Sequence, residues 1–119
     1  ISAYDNSQSL KVSSTGGASF NLSEKMGIYS LQGRVNSFPV WKKQGAREDN
    51  YLFVSTDGYW VIGPDPISKI AWLYLPENYP TPKSPINTLG WVYVNDQLWE
   101  IDDTIRVEFF TGNFWRRFT

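Results

Sequence analysis

The stretch Tyr51-Leu52-Phe53-Val54-Ser55-Thr56-Asp57-Gly58-Tyr59-Trp60-Val61-Ile62 decides the fold. Two apolar runs flank Thr56-Asp57-Gly58. Asp-Gly between such runs is the strongest short-range hairpin signal, because glycine takes a positive φ without a steric penalty. A hairpin over residues 51–55 and 59–62 follows. Gly63-Pro64-Asp65-Pro66 then stops the second strand, since proline donates no hydrogen bond to a ladder.

Working outward, the same grammar repeats. Upstream, residues 28–35 set Tyr29, Leu31, Gly33 and Val35 on one face and Ser30, Gln32 and Arg34 on the other, the period of two of a half-buried strand. Residues 38–43 continue after Asn36-Ser37 as a second hairpin. Downstream, residues 68–75 read as a strand, and the ten residues from Pro76 to Pro85, four of them proline, read as a stiff extended loop bridging two halves. Residues 90–94 and 98–101 flank Asn95-Asp96; residues 105–111 and 114–118 flank Gly112-Asn113. Each pair is expected to form a hairpin.

No apolar stripe at helical spacing persists for three turns, and only residues 22–26 could form a single helical turn. Residues 1–19 are rich in Ser, Asn, Gln and Gly, with Leu10 and Val12 an aliphatic pair, and read as a polar segment leading into an edge strand. A single β domain over 20–119 is then expected: all-β, an antiparallel β-sandwich or small barrel of about eight to ten strands built from successive hairpins. Trp60 and Trp99, each close to a tight turn, are expected to be buried anchors of their hairpins.

The 119 residues suffice for one core without a staple. Aromatic residues make up 17% of the chain, which favours pleated, half-buried surfaces. The formal net charge is −1 with both signs interspersed, so bulk electrostatics call for no nucleic-acid partner. No apolar run reaches the ~20 residues of a membrane helix, and no membrane insertion is expected. The chain begins at Ile1 rather than Met, as expected of an excised domain or a processed product.

Neither Cys nor His occurs, which removes thiol chemistry, imidazole acid–base catalysis and the commonest zinc ligands. Carboxylates would have to carry any hydrolysis. Glu100 and Asp102, two apart on a strand, would lie roughly 7 Å from each other, near the separation of a glycosidase pair. That spacing is common by chance, and a solvated acidic edge explains it. Glu100, Asp102 and Asp103 lack the loop pattern of a calcium site, and Asp57, Asp65 and Asp96 read as turn residues. Asn21-Leu22-Ser23 is a formal N-glycosylation triplet. No catalytic residue, metal or cofactor is expected.

The aromatics carry the functional expectation. In 68–75, Ala71, Leu73 and Leu75 oppose Ile70, Trp72 and Tyr74; in 90–94, Val92 and Val94 oppose Trp91 and Tyr93; Phe38 and Val40 oppose Trp41 and Lys43. Were the aliphatic sides the core, Trp41, Trp72, Tyr74, Trp91 and Tyr93 would form an exposed row, with Tyr79 on the Pro-rich loop as a rim contact. Such rings stack on the C–H face of a sugar or fill a protein hot spot. The opposite assignment, aromatics inward, satisfies the alternation equally well.

Gly27-Ile28-Tyr29, Val35-Asn36-Ser37-Phe38-Pro39-Val40-Trp41, Asp57-Gly58-Tyr59-Trp60-Val61-Ile62-Gly63 and Gly90-Trp91-Val92-Tyr93 together resemble a repeated module of uncertain function from extracellular multidomain proteins of invertebrates and protists. The resemblance implies a secreted or surface-displayed β module and offers no catalytic residue. The resulting expectation is a non-catalytic module that recognises a glycan or surface glycoprotein, with a structural, self-associating module as the rival.

Overall fold

The Asp57-Gly58 turn forms as the sequence requires, with Gly58 at φ 92° and the Ser55 amide and carbonyl closing the loop onto Tyr59 and Gly58. Around it, a computed structural model describes residues 9–35, 37–45, 47–76 and 84–110. Among the described residues there are nine strands: β1 (Ser9–Ser13), β2 (Gly27–Val35), β3 (Phe38–Lys43), β4 (Asn50–Val54), β5 (Trp60–Gly63), β6 (Leu73–Tyr74), β7 (Val92–Asn95), β8 (Leu98–Ile101) and β9 (Arg106–Phe110). A five-residue helix, α1 (Gly17–Asn21), and one 3-10 turn over Ser23–Lys25 complete them.

The strands make one antiparallel sheet in the order β8-β7-β6-β5-β4-β3-β2-β1-β9. β8 and β9 stand at opposite ends of that order, yet only residues 102–105 join them. The sheet must therefore curl until its two edges meet at one end, and it does so as a half-barrel. The all-β expectation holds, and of the two expected architectures the curled sheet lies on the barrel side.

The concave side holds the main core. Leu10, Tyr29, Trp41, Leu52, Trp60, Ile62, Leu73 and Trp91 are all buried there. Trp60 sits at the centre, 6.1 Å from Trp41 and edge-on to Phe38 at 6.0 Å between ring centroids. On the convex side a smaller cluster, Val40, Phe53 and Val61, is flanked by Tyr51, Tyr59, Ala71 and Tyr74.

Several expectations need correction. The segment 9–19 is not a polar lead-in to an edge: β1 pairs with both β2 and β9, and Leu10 and Val12 point into the core. A boundary at residue 19 would cut α1, whose Ala18 is buried. The strand expected over 68–75 shrinks to Leu73–Tyr74, because Asp65 Oδ1 accepts the amides of Ile67 and Ser68 and folds the chain into a turn that breaks the ladder. The turn between β7 and β8 lies one residue later than expected, at Asp96 and Gln97, both at positive φ as a type I′ hairpin demands. Residues 114–118 and most of the Pro76–Pro85 loop lie outside the described residues.

A buried carboxylate fastens the curl. Asp102, in the β8–β9 link, accepts Ser14 Oγ at 2.7 Å, the Ala18 amide at 3.0 Å, and the Thr104 amide and hydroxyl at 2.8 and 2.6 Å. Burial raises the Asp102 pKa, but these four donors outweigh it and hold the carboxyl below the usual carboxylate range. The β8–β9 link is thereby tied to the segment that follows β1.

Candidate functional site

A period of two places neighbouring residues on opposite faces, and Trp60 commits its side chain to the concave core. Tyr59 and Val61 therefore face outward. Register carries this across the sheet: Val61 opposes Tyr74, Tyr74 opposes Val92, and Val94 opposes Trp99. Tyr59, Tyr74 and Trp99 accordingly gather on the convex face. Tyr59 meets Tyr74 edge-on at 5.6 Å, and Tyr74 meets Trp99 edge-on at 4.9 Å. Perpendicular rings at these distances favour one another electrostatically and hold each other's orientation.

These rings form one wall of an open groove of about 340 Å³, near the lower end of small-ligand pockets. Phe53 and Val61 make its floor. The 64–72 segment adds Pro66, Ile67, Ile70 and Ala71 to its lining. Ser55, Thr56 and Asp57, from the β4–β5 turn, form a polar lip, and Lys69 also lines the groove. The Asp65 turn that interrupts the expected strand is what brings Ile67 and Ile70 to the groove. Three exposed large apolar residues line it: Ile67 at 90%, Ile70 at 57% and Trp99 at 46% exposure.

The expected row of exposed aromatics is placed differently. Trp41, Trp91 and Tyr93 are buried in the concave core, at no more than 4% exposure. The reason is volume: a nine-stranded curled sheet encloses a wide interior, and indole and phenol rings span it where Val92 and Val94 would leave voids. Trp91 Nε1 donates to Thr88 Oγ1 at 2.9 Å, and Tyr93 Oη donates to Glu100 Oε1 at 3.3 Å. Trp72 is half-buried against the core, with Lys25 Nζ 3.6 Å above its ring centroid. Of the six expected contacts, Tyr74 alone lines the groove, and Tyr79 lies outside the described residues. Trp99, expected to be a buried anchor, is half-exposed instead.

Glu100 and Asp102 form no paired carboxylate site. Glu100 Oε2 accepts Asn95 Nδ2 at 2.9 Å while its other oxygen takes the Tyr93 phenol. Both the burial of that phenol and the Glu100 charge raise its pKa. Asp102 is fully engaged in the clasp. Among the described residues no group of three or more His, Cys, Asp and Glu could hold a metal ion.

β8 differs from every other strand. Leu98, Trp99, Glu100 and Ile101 are all exposed, and its outer edge carries no paired strand among the described residues. No protein family, curated protein or solved structure matches this chain.

Proposed function

We propose that the chain is a non-catalytic recognition module that binds a glycan, free or on a surface glycoprotein, in the convex groove walled by Tyr59, Tyr74 and Trp99. The observation that carries this reading is the clustering of Trp99, Ile67 and Ile70, exposed and apolar, around an open groove with a polar lip. Sugar C–H faces stack on exposed rings, while hydroxyls of the sugar need the hydrogen-bonding groups that Ser55, Thr56 and Asp57 offer. A secreted or surface-displayed setting goes with this reading.

Binding of the folded domain to an immobilised glycan panel tests it. Saturable signal that falls at least tenfold in Trp99→Ala and Tyr74→Ala supports the groove. A signal unchanged in both variants, or none at all, refutes it.

A second reading rests on β8. Its exposed Leu98, Trp99 and Ile101 make an unprotected edge of the kind that pairs with another strand, which suits a structural, self-associating module. Sedimentation over a hundredfold concentration range distinguishes the two: mass rising with concentration, and abolished by Leu98→Lys, favours association.

A further inference from the structure

We infer that the groove selects N-acetylhexosamine units over plain hexoses, an inference that rests on the glycan reading above. The groove has three chemically distinct parts. Tyr74 and Trp99 offer ring surface, Ser55, Thr56 and Asp57 offer hydroxyl and carboxylate groups, and Ile67 and Ile70 offer exposed aliphatic surface in the same groove.

A plain hexose uses the first two and has no apolar group for the third. Its docking would leave the branched side chains of Ile67 and Ile70 against hydroxyls, which gains nothing from removing that surface from water. An N-acetylhexosamine carries a C–H face for the rings, hydroxyls and an amide N–H for the lip, and an acetyl methyl for the aliphatic wall. The volume of about 340 Å³ suits one or two such units rather than a long chain. Sugar acids fit less well, because among the described residues Lys69 is the one cation lining the groove and Asp57 offsets it. Burying one methyl group in an apolar subsite is worth on the order of tenfold in discrimination.

Chitotriose and cellotriose differ by the acetamido groups and share the same backbone stereochemistry. Titration calorimetry of the whole chain with each trisaccharide is expected to show at least a fivefold preference for chitotriose. Ile70→Ser and Ile67→Ser, both at exposed positions, are expected to bring that preference down to less than twofold, by weakening chitotriose binding more than cellotriose binding. Equal binding of both trisaccharides to the wild type overturns the acetyl selectivity and leaves the glycan reading standing. A preference that persists unchanged in both serine variants overturns the aliphatic wall as its source. Absence of binding to either sugar, together with a silent glycan panel, overturns the glycan reading and this inference with it.

Discussion

Trp99 meets Tyr74 edge-on, 4.9 Å between ring centroids, across the intervening strand β7. Tyr74 is in turn held by Tyr59 at 5.6 Å, so the indole at the sheet edge is braced through two phenols to the β4–β5 hairpin. Exposed tryptophan on an edge strand would otherwise have free rotamers. Here the contact with Tyr74 holds the ring in one orientation at the groove, which lowers the ordering cost of binding.

The two kinds of tryptophan should respond oppositely to truncation. Trp60→Ala empties the centre of the concave core and should lower unfolding free energy by about 3–5 kcal/mol. Trp99→Ala removes a half-exposed ring and should cost about 1 kcal/mol, chiefly the lost aromatic pair, while abolishing glycan binding. Urea denaturation of both variants beside a binding assay checks the pairing of effects.

The Asp102 clasp makes stability acid-sensitive. Its carboxyl titrates below the ordinary range in the folded chain, so its contribution is complete above the unfolded value of about 3.9 and is lost as pH falls through the lower folded value. Asp102→Asn keeps one acceptor oxygen and should cost about 1–3 kcal/mol at neutral pH. The variant should converge on wild type as the medium is acidified below about pH 4. Urea midpoints of the two proteins from pH 7 to pH 2 measure this.

Gly17 packs against the tip of Tyr93. A Cβ there would overlap the Tyr93 hydroxyl, which is confined in the core by its bond to Glu100. Gly17→Ala should destabilise by about 1–3 kcal/mol despite the better helix propensity of alanine. In a Tyr93→Phe background the penalty should shrink, because the closest atom is gone. Thermal unfolding of the four proteins of this cycle reads the coupling.

How much of this was legible before the structure differs from residue to residue. The hairpin through Asp57-Gly58 and the strands β2, β3, β7 and β8 follow from turn residues and alternation, because those signals are local. Alternation sorts Trp91 and Tyr93 from Val92 and Val94, but it is symmetric: which set faces inward depends on how wide the curled sheet is, a property of all nine strands together. The helix α1 has five residues, too few for a helical period, and it exists because Ala18 packs into the core and its amide reaches Asp102. The groove residue Tyr59 had a usable signal. If Trp60 anchors the core, Tyr59 must face away from it. Ile67 and Ile70 had none, since only the turn capped by Asp65 brings them to the groove.

The most direct test of the groove is collisional quenching of tryptophan fluorescence by acrylamide, comparing wild type with Trp99→Phe, each with and without saturating chitotriose. A groove walled by Trp99 should give a quenchable component in wild type that is absent in Trp99→Phe and is shielded by the sugar. Identical quenching of wild type and Trp99→Phe, or a wild-type component that the sugar leaves fully accessible, would contradict it.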